Sequence, residues 1–191
     1  MGTQKDFLQK LKKGDAQAFR QVVEDHKDMV FATAFGFVHD KAEAEDIAQE
    51  VFVEVFNSIK KFKGDSKIST WIYRITVNKS INALKKIKRI GKVKQTTTSY
   101  DPENENSLEL PDEEKNTPDA LHENQERREI LESAVNELPE NQKTAFVLHK
   151  YDGLAYKQIS EIMETSLSSV ESLLHRAKSN LQKKLVGYYR S

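Results

Sequence analysis

The chain contains no cysteine, which excludes a disulfide framework, thiolate metal ligands and a cysteine nucleophile. Seven glycines and four prolines in 191 residues leave few helix breakers, so a helical fold is expected. Long apolar runs are missing too. No stretch approaches the roughly 18 residues needed to cross a bilayer. The first residues, Met1 to Leu8, lack the apolar core of a secretory leader, so a cytoplasmic location is expected. His26, His39, His122, His149 and His175 are scattered without metal-ligand spacing, and no glycine-rich phosphate loop is present. Neither an enzyme nor a metal or other cofactor is expected.

Net charge is absent as well, but only in the sum. The 30 basic and 30 acidic residues are segregated along the chain. Residues 1–56 carry −4, residues 57–94 carry +11, residues 95–140 carry −11 and residues 141–191 carry +4. A block at +11 beside one at −11 points to a polyanion-binding segment next to an acidic linker. The bland alternative is a set of solvated helix faces.

Pro102, Pro111 and Pro118 interrupt a strongly acidic, weakly periodic stretch, and residues 96–126 read as a flexible linker. It divides a helical domain, residues 1–95, from a smaller one, residues 127–191, so the fold class is all-α with two small domains. In the first, Ala18, Phe19, Val22 and Val23 suggest one helix, and Val30, Phe31, Ala34, Phe35 and Val38 another. Asp40 with Glu43 forms a capping-box signature, and Ile47, Val51, Phe52, Val55, Phe56 and Ile59 follow at helical spacing, predicting a helix over 41–60. A further helix is predicted from Thr70 to Arg89. At 100° per residue, Ile72, Tyr73, Val77, Ala83, Leu84 and Ile87 fall on an arc of roughly 160° to 300°, the expected core face. Trp71, Arg74, Asn78, Asn82, Lys85 and Arg89 share the other side. Single-stranded nucleic acid is held by basic grooves with aromatic stacking platforms. Such a face, preceded by the basic loop Lys61-Phe62-Lys63-Gly64-Asp65-Ser66-Lys67, is therefore a candidate site, although a lone tryptophan is more often core. Glu43, Glu45, Asp46, Glu50 and Glu54 give the 41–60 helix an acidic side.

In the C-terminal domain, Pro139 opens a helix that runs to about Tyr151, and Asp152-Gly153 turns the chain. A short helix over 156–163 follows. After Glu164-Thr165-Ser166 a longer helix begins, with Ser168 and Glu171 as its expected capping box. This is a helix-turn-helix pattern. Val170, Leu173, Leu174, Ala177 and Leu181 share one face of the last helix. Ser172, His175, Arg176, Ser179 and Lys183 share the opposite face, which suits a major groove.

The segment from Ala42 to Arg89 resembles region two of the extracytoplasmic-function (ECF) sigma factors of bacterial RNA polymerase. The segment from Ile130 to Leu185 resembles region four of the same family, in the same order and with a similar linker. The resemblance implies a promoter-specificity subunit that binds core RNA polymerase and promoter DNA. The helix bearing Glu45, Asp46, Gln49, Glu50 and Phe52 would dock on the clamp helices of the largest polymerase subunit. Lys61, Phe62, Lys63, Asp65, Ser66 and Lys67 would belong to the loop that captures a flipped base of the −10 element. Trp71, Arg74, Asn78, Asn82 and Lys85 would lie along the melted strand and adjoining duplex. Lys157, Ser168, Ser169, Ser172, Arg176 and Lys183 would contact the −35 element. An anti-sigma factor is an implied partner, and the free protein is expected to be a monomer.

Two departures from the family pattern stand out. Glu164 occupies a turn position where relatives usually carry glycine, which costs about 1 kcal/mol if the turn is left-handed. Glu171 and Leu173 stand where many relatives carry Lys or Arg, which weakens phosphate attraction and alters base preference. Two other classes remain open from the residues alone. One is a stand-alone helix-turn-helix regulator binding duplex DNA, which leaves the Trp71 face without a purpose. The other is a helical adaptor that binds no DNA, which leaves the +11 block unexplained.

Overall fold

Aspartates open two of the helices. Asp15 accepts the Ala18 amide and Asp40 that of Glu43, both at 2.8 Å, satisfying donors that a helix start leaves without partners. The computed structural model describes residues 2–95 and 118–188. Its elements are α1 (Gly2–Lys12), α2 (Ala16–Val38), α3 (Lys41–Ser58), a 3-10 turn (Ile59–Lys61), α4 (Ile68–Gln95), α5 (Pro118–Asn136), α6 (Glu140–Lys150), α7 (Tyr156–Ile162) and α8 (Leu167–Tyr188). The described residues are all-α, as expected, and none of these helices is long and apolar enough to cross a membrane. The chain divides into two compact units, Met1–Glu103 and Asn104–Ser191.

In the first unit α2, α3 and α4 pack on one another, and α1 lies against α2 and the 3-10 turn. The core is aliphatic, with Val22, Val30, Ala34, Ile47, Val51, Val55 and Ile72 nearly or wholly withdrawn from solvent. Thr33 and Thr76 are buried with it. Their hydroxyls donate to the Met29 and Ile72 carbonyls at 2.8 and 2.9 Å, which removes the cost of burying them. In the second unit α5, α6 and α7 each pack against α8. Ala134, Val135, Leu138, Ala177 and Leu181 form one buried cluster, and Leu148, Ile159 and Val170 are also fully buried.

Several boundaries differ from the sequence expectation. The two helices predicted before residue 40 are one continuous helix, α2. The charged stretch between their apolar clusters supports itself through Gln21 to Asp25, Lys27 to Glu24, and the contact of His26 Nδ1 with the Val22 carbonyl. Helix α3 ends at Ser58, and the last turn tightens to 3-10. Helix α4 extends beyond the predicted Thr70–Arg89 at both ends. Ile87, expected in the core, is 39% exposed, within an exposed run from Lys85 to Arg89. Helix α5 begins at Pro118, inside the segment read as linker. Proline suits a first helical position because its missing N–H has no intrahelical partner there. The rest of that predicted linker, residues 96–117, lies outside the described residues.

Candidate nucleic-acid interface

The basic loop after α3 is built on an aromatic anchor. Phe62 leaves the 3-10 turn with its amide donating to the Ile59 carbonyl at 3.1 Å, and its ring is only 7% exposed. The expectation that Phe62 is displayed on the loop is therefore corrected: it is part of the core. Trp71, expected on the exposed face, is half-buried, with its ring 5.0 Å from that of Phe62 and tilted by 33°. The helical wheel gave its direction correctly, but the preceding loop folds Phe62 back against it. The Trp71 amide donates to the Lys67 carbonyl at 3.2 Å, tying the end of the loop to the start of α4. Between these anchors Lys63, Asp65 and Lys67 are exposed, as is Lys61 on the turn, while Ser66 is half-buried. Three cations thus project from a short, anchored loop.

Along α4 the predicted face is continuous. Trp71 and Arg74 are half-buried at its base, and Asn78, Asn82 and Lys85 are exposed above them. A strip that changes from aromatic to amide to ammonium can stack a base, bond its edge and neutralise phosphate. On α3 the acidic side is likewise exposed at Glu45, Asp46, Gln49 and Glu50. Phe52 is half-buried against the core, so only part of it is open to that surface. Asp46, Gln49, Glu50, Val53 and Glu54 line a shallow depression closed by Lys79 of α4, which pairs with Glu50 at 3.4 Å. Val53 is 61% exposed and was missed in the sequence. Its signal was an apolar residue off the Ala44, Ile47, Val51, Val55 stripe. Phe56, placed with the apolar residues at helical spacing, is 52% exposed and packs edge-on against Phe19 at 5.1 Å.

In the second unit α7 and α8 are joined by a turn through Glu164, whose φ of 51° is left-handed. The expected Ser168 cap is corrected to Ser166, whose Oγ accepts the Ser169 amide at 3.1 Å. Ser166 Oγ also lies 3.0 Å from Ser168 Oγ and 2.8 Å from Ser169 Oγ, so three hydroxyls cluster where α8 begins. Ser168 is exposed and Ser169 half-buried within the cluster. Ser172, His175, Arg176 and Lys183 are exposed along α8, whereas Ser179, expected beside them, is half-buried. Arg176 Nε donates to the Ser172 carbonyl at 3.2 Å. Lys157 is exposed on α7. Leu167, 49% exposed beside the serines, was not singled out from the sequence, and an exposed aliphatic group there can pack on a thymine methyl. Glu171 is exposed on the same helix, while Leu173 is half-buried.

The comparisons agree with this two-part layout. The model of sigma-70 region 2 matches residues 22–90, and that of sigma-70 region 4 matches residues 128–181. The chain is 30% identical to the RNA polymerase sigma-H factor of Pseudomonas aeruginosa, over 94% of this chain and 92% of that protein. It is 30% identical to the ECF RNA polymerase sigma-E factor of Escherichia coli K12, covering 96% and 94% respectively. Identity to the ECF RNA polymerase sigma factor SigW of Bacillus subtilis is 29%, covering 95% and 96%. Two solved structures share the fold. CnrH in complex with the cytosolic domain of CnrY superposes with a TM-score of 0.64 at 18% identity, over 95% of this chain and 96% of that one. The sigma factor RpoE in complex with the anti-sigma factor NepR from Bartonella quintana gives 0.60 at 20% identity, over 89% and 98%.

Proposed function

Since this chain belongs to the ECF sigma factors, we propose that its two helical units divide promoter recognition between them, the first acting at the −10 element and the second at the −35 element. The protein is a non-enzymatic factor that directs promoter-specific transcription initiation by RNA polymerase. The observation that carries this is the pair of matched segments, region 2 at 22–90 and region 4 at 128–181, in one chain that its relatives match nearly end to end. It acts in the cytoplasm, where the polymerase works.

In this reading the acidic side of α3, with Glu45, Asp46, Gln49 and Glu50, docks on core polymerase, and Val53 adds an apolar contact in its centre. Charge complementarity sets the register of such an interface, and the desolvated apolar group adds affinity. The loop Lys61–Lys67 receives an extruded base. Arg74, Asn78, Asn82 and Lys85 follow the strand, and Trp71 supports the face from its edge. Ser168, Ser172 and Arg176 read base edges in the major groove, and Lys157 and Lys183 hold phosphates. Extruding a base costs a few kcal/mol, which pocket contacts and backbone neutralisation offset, so melting begins at a defined sequence without ATP. An anti-sigma factor is the proposed regulatory partner, in keeping with the complex reported for the RpoE relative in fold.

Run-off transcription on genomic promoter fragments, with core polymerase alone and with this protein added, tests the assignment. New discrete start sites are expected, and Asn78→Ala or Arg176→Ala should reduce them by roughly 5- to 150-fold, with each base contact worth about 1–3 kcal/mol. Footprints from the protein alone, without new transcripts, would favour an autonomous helix-turn-helix regulator.

A further inference from the structure

Helix α1 lies ahead of the segment that the region 2 model matches, which begins at residue 22. It is nonetheless firmly seated. Leu11 is 2% exposed, and Phe7 and Leu8 pack, half-buried, against the core that contains Ile59 and Phe62. Its junction with α2 is tight: Gly14 adopts a φ of 82°, its amide donates to the Leu11 carbonyl, and the Asp15 amide donates to that of Lys10, both at 3.1 Å. Asp15 then caps α2. The neighbours of α1 are α2 and the 3-10 turn from which the basic loop departs.

Within that loop Gly64 has a left-handed φ of 85°. A Cβ placed there would come to 3.6 Å from Leu8 Cδ2, so the end of the Leu8 side chain lies against the middle of the loop. The two ends of the loop have their own holds, Phe62 in the core and the Lys67 carbonyl on the Trp71 amide. Leu8 adds a third, from an element remote in sequence.

We infer that Leu8 is a positioning residue for promoter reading: it braces Gly64 so that Lys63, Asp65 and Lys67 meet the extruded base from fixed places. The inference rests on the assignment of this loop to the −10 element. A loop held only at its ends must be ordered during binding, at a cost in conformational entropy, and a central brace lowers that cost. The gain lies in discrimination between bases rather than in overall affinity, because lysines attract phosphates wherever the loop wanders.

The test uses holoenzyme assembled from core polymerase and the full chain, on a promoter found by run-off transcription and on its single-base −10 variants. Trp71, the sole tryptophan, sits on Phe62 at the base of the loop and reports its order through acrylamide quenching. Leu8→Ala is expected to keep polymerase binding and helicity, to flatten discrimination among −10 bases roughly tenfold and to increase quenching of Trp71, with Leu8→Met restoring both. Leu8→Val, which removes Cδ2 but keeps an apolar helix face, carries the same expectation should Leu8→Ala lose helicity. Unchanged discrimination in the helical Leu8 variants, with discrimination lost in Asp65→Ala, would overturn the brace alone. If Asp65→Ala and Ser66→Ala also leave discrimination intact, the loop assignment falls and the brace with it.

Discussion

Glu164 and His39 are the non-glycine residues with positive φ among those described, at 51° and 54°, and each follows a helix. His39 ends α2 with its amide on the Phe35 carbonyl at 2.8 Å. A side chain in this region suffers a steric cost that glycine avoids, partly offset by the greater freedom glycine has when unfolded. Glu164→Gly should therefore stabilise the second unit by about 0.5–1 kcal/mol, raising its thermal midpoint by a few degrees in circular dichroism. Ser80 offers the opposite kind of test. It is wholly buried, and its hydroxyl has no hydrogen-bond partner among the described residues. Ser80→Ala should be neutral or stabilising by up to about 1 kcal/mol in urea unfolding, since it removes an unsatisfied polar atom with little change in volume. The strain at 164 was legible as a missing glycine. The orphaned hydroxyl of Ser80 was not, because nothing local distinguishes it from the hydroxyl of Thr76, which bonds within its own helix at 2.9 Å.

The start of α8 is the element on which reading of the −35 region depends in the proposed function, and its geometry is set by Ser166. Ser166→Ala should cost about 1 kcal/mol, because the Ser169 amide loses its acceptor, whereas Ser168→Ala should change stability by about 0.5 kcal/mol or less. Thermal melts of the two variants check the assignment; the reverse order would restore Ser168 as the cap. Helix types and apolar faces were largely legible from spacing, including Ile72 and Val77 on α4 and Val170, Ala177 and Leu181 on α8. The ends and interruptions were not. The gap between the two apolar clusters of α2 contains neither glycine nor proline, so pairs three and four residues apart carry the helix through it. At Ile87 the periodicity continues into an exposed run of α4, and the pattern alone carries no sign of that.

Across the whole molecule, charge is arranged in blocks whose sum is zero. The +11 block contains the basic loop and α4, and the −11 block joins the two units. The acidic block should compete with nucleic acid for the basic faces when the protein is free. Replacing the acids of residues 96–126 with Asn and Gln is expected to raise its DNA affinity about tenfold at low salt, with the gain shrinking as the Debye length falls below about 10 Å. Unchanged affinity in a salt series would count against this role. Fold class, the order of the two segments, the acidic and basic faces and membership of the sigma factors were all determined by the sequence itself. Helical period, net charge and motif order are properties of the chain that survive without knowledge of its packing. Only the tertiary structure decided that Phe62 is an anchor rather than a displayed ring, that Trp71 leans on it, that Phe56 faces solvent, and that Leu8 meets Gly64. Burial depends on which distant element covers a face, and contacts between residues far apart in sequence leave no local period to read.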